Sequence, residues 1–161
     1  MVERLELTPA DRFLDLGCGA GAALEHAVAT GARSAGIDPS PPMARRAAER
    51  VPGAEVKVGS AEEIPFPDAS FDVAIAISTY HHWADAEAGL DEVRRVLAPG
   101  GRLLVVERLL RKATGHGLSP RAGDDLADAL STHGYVGAVV DRMRVGRAQF
   151  LAISAATPSP G

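Results

Sequence analysis

From residue 12 to residue 155, short apolar runs alternate with segments that favour helix, and no other feature of the sequence constrains the fold as strongly. Arg12–Leu16 reads Arg-Phe-Leu-Asp-Leu and closes on glycines, as a buried strand does. Ala20–Ala29 is rich in Ala and Leu, has no breaker and stops at Gly31, which predicts a helix. Ser34–Ile37 is a second apolar run, closed by Asp38-Pro39-Ser40. Pro41 and Pro42 then open a helix over Met43–Arg50, since a first helical turn has no use for the missing N–H. Val51-Pro52-Gly53 ends it, and Glu55–Val58 predicts a third strand. Pro65 and Pro67 mark a loop. Phe71–Ile77 is almost continuously apolar, as expected of a strand covered on both faces.

The second half continues the alternation. Asp85–Leu97 sets Leu90, Val93 and Leu97 at helical spacing, with charges on the other faces. Pro99-Gly100-Gly101 turns the chain into a strand at Arg102–Glu107. Leu109–Arg121 reads as a loop and Ala122–Thr132 as a helix. Tyr135–Asp141 and Arg144–Ala155 are two strands across a short turn, which can pair antiparallel. Five strand-then-helix units and a strand pair imply an α/β sandwich: a mostly parallel seven-stranded sheet, its last strand antiparallel, with helices on both faces. The pattern runs through without repeat or linker, so residues 1–156 read as one domain and 157–161 as a loose tail.

Composition narrows the partners. Seventeen basic and 21 acidic side chains leave a net charge of −4, whereas a protein that grips nucleic acid through its backbone usually carries a basic face. Nucleic acid is therefore an unfavoured partner. One cysteine, Cys18, excludes an internal disulfide and a Cys-rich zinc site. No segment approaches the ~18 apolar residues of a membrane helix, and the start, Met1-Val-Glu-Arg-Leu-Glu, has no signal-peptide run. The expectation is a cytoplasmic chain.

In an open α/β sheet, ligands lie beyond the carboxyl ends of the strands. After the first strand comes Asp15-Leu16-Gly17-Cys18-Gly19-Ala20-Gly21, whose glycines let the backbone turn sharply and approach a ligand. After the second comes Asp38, an acid placed to accept both hydroxyls of a ribose. Together they argue for an adenosine-containing cofactor. The glycines follow G-x-G-x-G rather than the dinucleotide pattern G-x-G-x-x-G, and Ala22 stands where its third glycine belongs. Asp15 would repel a pyrophosphate but suits an ammonium or sulfonium.

The stretch from Phe13 to Gly21 resembles the first motif of class I S-adenosylmethionine (SAM)-dependent methyltransferases. Three later blocks resemble the same family in the same order: Gly36–Ser40, Gly59–Asp72, and His81-His82-Trp83 with Glu92–Leu103. The combination is typical of its type 11, ubiquinone- and menaquinone-biosynthesis-like small-molecule subgroup. The resemblance implies a Rossmann-like SAM-methyltransferase sandwich, SAM as co-substrate and no metal. It implies that Gly17, Gly19 and Gly21 shape the loop around the methionine portion, with Cys18 a small buried member of it. Asp15 would place that portion, Asp38 would hold the ribose with Pro39 and Ser40 beside the adenine, and Ala61 and Glu62 would offer backbone groups to the adenine edge. Ser60 stands where many relatives have Asp, so it can accept a hydrogen bond but brings no charge. Ser78 would lie near the methionine amine and sulfonium.

His81 and His82 follow the fourth strand, where a substrate can reach, and imidazole is a natural general base near neutral pH. The alternative is that they brace the loop. Trp83 reads as a packing anchor and Tyr80 as a residue on the substrate side. Glu107, ending the fifth strand, either points into this region or pairs with Arg108 or Arg111. His26, His116 and His133 read as helix-face, loop and helix-end residues with no metal-ligand spacing.

These readings converge on methyl transfer from SAM to a small-molecule acceptor by in-line displacement. Ile77-Ser78-Thr79-Tyr80 lacks the Asn/Asp-Pro-Pro-Tyr of enzymes that methylate nucleobase amines, and there is no Pro-Cys for cytosine C5 chemistry. A non-catalytic SAM-binding regulatory module and, less favoured, a nucleotide-binding oxidoreductase remain as other classes. The first strand begins about ten residues from the start, where relatives usually carry helices that cover the substrate. Cover from a second subunit in a homodimer, an acceptor on an open surface, or an inactive truncated form would each fit that short cap.

Overall fold

The computed structural model describes residues 2–110 and 115–161. Its seven strands are β1 (Arg12–Leu16), β2 (Arg33–Asp38), β3 (Ala54–Val58), β4 (Phe71–Ile77), β5 (Leu97–Arg108), β6 (Val136–Val145) and β7 (Ala148–Ala156). Four α-helices join them: α1 (Ala22–Ala29), α2 (Pro41–Arg50), α3 (Ala86–Val96) and α4 (Pro120–Thr132). The sheet runs β3-β2-β1-β4-β5-β7-β6, and β7 alone runs opposite to the other six strands.

Alternation along each central strand feeds two cores. Leu14 and Leu16 of β1 face the side covered by α3 and α4, against Leu90, Val93, Leu126 and Leu130. Phe13 faces the other side, with Leu24 and Ala27 of α1 and Ala47 of α2. Phe13, Leu14 and Leu16 are fully buried, as two-sided cover requires. Arg12 clamps the entry of β1 to β4 through a forked pair of bonds to Asp72 (2.7 and 2.9 Å).

Several details depart from the pattern read in the sequence. The crossover from β3 to β4 has no α-helix; Pro65 and Pro67 keep residues 59–70 irregular. The chain thus contains four strand-then-helix units rather than five. Pro99-Gly100-Gly101 does not precede the fifth strand but lies inside β5, as a bulge: Phe71 pairs with Leu97, and Val73 next pairs with Arg102. The β6–β7 turn is at Gly146-Arg147, since Val145 pairs with Ala148, and not between Asp141 and Arg144. Thr157 is buried, its N–H bonds the Gly101 carbonyl (2.8 Å) and its hydroxyl donates to the Ala98 carbonyl (2.6 Å). The first residue after β7 is therefore tied to the bulge.

On the α1/α2 side, the β5-β7-β6 end of the sheet carries a groove of ≈ 480 Å³, lined by Leu104, Val106, Met143 and Ala152 among others. A 3₁₀ turn at Val2–Leu5 reaches its edge, where Arg102 donates to the Leu5 carbonyl (3.1 Å). Among the described residues, no helix is long and apolar enough to cross a membrane.

Candidate active site

The strand order reverses between β1 and β4, and the loops leaving their carboxyl ends form a cleft there. Gly17, Gly19 and Gly21 all adopt positive φ (68°, 54° and 83°), which a side chain would resist. Their roles differ. A Cβ on Gly17 would overlap the Thr79 hydroxyl, so this glycine lets the loops after β1 and β4 meet. A Cβ on Gly21 would press on Ala47 and Val51, so that glycine brings α1 against α2. Gly19 has open space around it, and its N–H donates to Asp38 Oδ2 (2.9 Å).

Asp38, ending β2, is buried. Its second oxygen, Oδ1, accepts from the Ser40 N–H (2.9 Å), so one carboxylate ties the glycine loop to the start of α2. Each oxygen keeps a further lone pair. Asp15 is also buried, at 3 % exposure. Burial, then the nearby Asp38, pushes its carboxyl up to about 8. Burial, then Asp15 and Asp38, likewise pushes the Cys18 thiol up to about 12, so a thiolate nucleophile is disfavoured there.

Two cavities meet at Gly17. One, of ≈ 350 Å³, is lined by Asp15, Gly17, Cys18, Ala22 and Ile77 with Val2 across it. The other, of ≈ 210 Å³, is lined by Gly17, Pro39, Ser60, Ala61, Glu62 and His82 among others. Ser78 stands between Ile77 and Thr79, one from each lining, and holds φ = 54° while its N–H donates to the Val106 carbonyl (2.8 Å). A serine in the left-handed region is strained, and such residues cluster at functional sites. The Glu62 side chain is spent on structure: Oε1 accepts from the N–H groups of Ala84 (2.7 Å) and Asp85 (3.3 Å). Burial works against this carboxylate, but its hydrogen bonds outweigh that and hold it below its ordinary range.

Beyond β4, the 3₁₀ turn Tyr80–His82 lies against the end of β5. Glu107 is fully buried and accepts from His81 twice, from Nδ1 (2.8 Å) and from the backbone N–H (3.3 Å). It thus pairs with His81; Arg111, a partner considered from sequence, is outside the described residues. A carboxylate only accepts, so Nδ1 is the donor, and in the neutral ring Nε2 then keeps its lone pair. That Nε2 is buried and has no hydrogen-bond partner among the described residues. The rings of His82 and His116 lie beside that of His81, their centroids 4.0 and 5.4 Å away. Sequence separation hid His116: it sits 35 positions beyond His81, and only the parallel pairing of Ile77 with Val106 returns the chain to the same end of the sheet. Trp83 packs against Gly89 of α3, where no side chain would fit. His26 and His133 lie apart, and His133 bonds Asp91 (2.7 Å).

Residues 14–105 match the methyltransferase domain family. Among curated relatives, the chain is 40% identical over 113 residues to the 27-O-demethylrifamycin SV methyltransferase of Amycolatopsis mediterranei, covering 66% of this chain and 42% of that protein. It is 44% identical over 110 residues to the demethylmenaquinone methyltransferase of Thermus thermophilus, covering 64% of this chain and 49% of that one. The chain thus spans less than half the length of either. Among solved structures, a SAM-dependent methyltransferase from Aquifex aeolicus superposes with a TM-score of 0.78 over 96% of this chain and 88% of that one, at 22% identity. That likeness carries the fold, and the sequence match carries the lineage: the chain belongs to the methyltransferase domain family, on the Rossmann-like fold of SAM-dependent methyltransferases.

Proposed function

We propose that this chain binds SAM along the cleft and directs its methyl group onto a small-molecule acceptor by in-line displacement. The observation that carries the reading is the meeting of the two cavities at Gly17, one lined by Asp15 and the other by Ser60, Ala61 and Glu62, with Asp38 bracing the loop between them. The donor set fits the ligand's chemistry in order. The Asp15 cavity suits the cationic amino-acid end. The free lone pairs of Asp38 can accept ribose hydroxyls, and the Ser60–Glu62 backbone suits an adenine edge. Bound SAM supplies a methyl group on a positively charged sulfur.

The protein's own task is placement. Loops after β1 and β4 hold donor and acceptor in near-attack geometry and exclude water. His81, oriented by Glu107 through Nδ1, is the group placed to take a proton at Nε2 from a hydroxyl or acidic carbon as it attacks. Of the two histidines, His82 lines the cavity on the Ser60–Glu62 side.

Calorimetry with SAM, S-adenosylhomocysteine and NADH tests the binding half of this reading. Binding of both sulfur compounds and not of NADH is expected. Binding of NADH, or of neither sulfur compound, overturns it. For the transfer half, SAM labelled in its methyl group is incubated with the protein and fractionated small metabolites. Label is expected to move into a metabolite fraction, and label that stays on SAM across all fractions refutes transfer to small molecules.

A further inference from the structure

We infer that His81, His82 and His116 together hold one divalent transition-metal ion, zinc being the natural candidate, with a fourth position open to solvent. One ring nitrogen from each lies within 4.8 Å of the others. On a tetrahedral ion, with metal–nitrogen bonds of about 2.0–2.1 Å, such atoms stand about 3.3 Å apart. Turning the side chains closes the gap. His82 and His116 are exposed and can turn; His81 is pinned.

Three independent features show construction rather than coincidence. First, Glu107 holds His81 Nδ1 at 2.8 Å, which leaves Nε2 as the ring nitrogen free for a ligand, on a ring whose centroid is 4.0 Å from that of His82 and 5.4 Å from that of His116. A carboxylate on the far nitrogen of a ligating histidine is the usual outer support of a metal site. Second, that Nε2 is buried with nothing to accept from, an expensive state that an ion would relieve. Third, His116 is held in place by its neighbours. It sits between Gly115 and Gly117, at φ = 127° and 144°, and a side chain on Gly117 would overlap the Arg108 carbonyl. Leu118 N–H donates to that same carbonyl (2.9 Å), and Leu110 N–H donates to the Leu118 carbonyl (2.8 Å). This bridge folds the loop back so that His116 stands over the end of β5.

Nitrogen donors alone suit zinc, copper, nickel or cobalt and not magnesium or calcium, which want oxygen. Three protein ligands and an open position form the set of a reactive rather than a purely structural ion. The site does not depend on the methyl-transfer reading, because its ligands are complete without SAM. It does bear on that reading: one lone pair on His81 Nε2 cannot hold a metal and take a proton at the same time.

The test uses the full chain without a polyhistidine tag, freed of metal by a chelator, in the absence of SAM. Zinc is titrated in competition with a chromophoric chelator, and cobalt is added separately to read its visible spectrum. One equivalent of zinc is expected to bind, and cobalt should show the intense bands of a tetrahedral nitrogen-rich site. His116→Ala, on an exposed loop, is expected to keep the melting temperature of the metal-free protein and to weaken zinc at least tenfold. Glu107→Gln should weaken it about 10- to 100-fold, as loss of an outer carboxylate does. No saturable binding overturns the proposal. So does binding that survives His116→Ala and His82→Ala unchanged, or a cobalt spectrum of the octahedral aqueous ion. SAM binding measured on the same samples fails or succeeds separately, so the two readings are judged apart.

Discussion

Replacing Asp15 by Asn should make the protein more stable at neutral pH, although it alters the acid of the first cofactor loop. The folded carboxyl is buried and raised to about 8 from an ordinary 3.8, by loss of water first and by Asp38 second. The folded state therefore holds a proton that the unfolded state releases. With fewer protons on the unfolded chain, stability must fall as pH rises between the two values, by about 1.4 kcal/mol per pH unit. At pH 7 the accumulated cost is about 4 kcal/mol, an order-of-magnitude figure. An amide of the same shape avoids that cost but must itself be hydrogen-bonded, which takes back about 1–2 kcal/mol. The net gain is about 2–3 kcal/mol, or roughly 4–12 °C in melting temperature for a chain of this size. Thermal melts of both proteins from about pH 4 to about pH 9 give the difference curve, which cancels every other titrating group. In acid, where both side chains are neutral, the Asn variant should be the less stable by its amide cost of about 1–2 kcal/mol; the difference should change sign as pH rises and grow until the curve flattens above the folded value. A gap that is constant with pH, or an Asn variant that melts lower throughout, would refute the argument. A cationic ligand end beside Asp15 should also drive off its proton. Calorimetric SAM binding near neutral pH is then expected to release a proton, seen as a heat that depends on the buffer.

Asp38→Ala should weaken SAM about 10- to 150-fold by calorimetry, from loss of about 1.5–3 kcal/mol of charge-assisted bonding, while Asp38→Asn, which keeps one acceptor for Gly19 or Ser40, should melt higher than the Ala variant. Gly17→Ala combines a positive φ with a clash against Thr79 and should cost about 2–4 kcal/mol in chemical denaturation; Thr79→Gly in the same chain should recover part of it. Arg95 spans Glu92, Asp68 and the carbonyls of Ile64 and Phe66. Arg95→Ala should therefore destabilise by about 2–4 kcal/mol, and Arg95→Lys, which cannot fork, should restore less than half. An Arg95→Ala melt unchanged from the parent would show that the β3–β4 loop holds without it.

The central sheet was legible because it is buried on both faces. Arg12–Leu16 and Phe71–Ile77 have the bounds read from their apolar runs, since two-sided cover keeps each mostly apolar, with one interior acid apiece, Asp15 and Asp72. The edge was harder. β6 carries Asp141, Arg142 and Arg144 in mid-strand, and an edge strand tolerates such charge, so the turn was sought there rather than at Gly146. Pro99-Gly100-Gly101 carries the residues of a turn, yet its place between two paired stretches makes it a bulge, which only the register shows. At the candidate site, Asp15 near the end of β1 and Asp38 at the end of β2 stand out by position, whereas Ser60 and Ala61 enter only through the family resemblance. Glu107 and His116 were not assigned their partner, because the pairing of β4 with β5 decides who meets His81. Glu62 also enters through the resemblance, and its side chain serves a neighbouring loop, a use no spacing announces.

The strand order also dictates when this molecule can become whole during synthesis. β7 follows the other six strands in the chain, yet it lies inside the sheet, with β5 on one side and β6 on the other. β6 has β7 as its sheet neighbour, so until Ala156 leaves the ribosome β6 lacks its partner and β5 presents an open edge beside β4. A ribosome tunnel that hides the newest residues thus holds the nascent chain with two bare strand edges, each able to pair with another chain. β1, by contrast, is made first and sits at the centre, waiting for β4 from about sixty residues later. Closure of the sheet is therefore expected to come late, once β7 has emerged, and the length of that wait sets how long the open edges can pair with another chain.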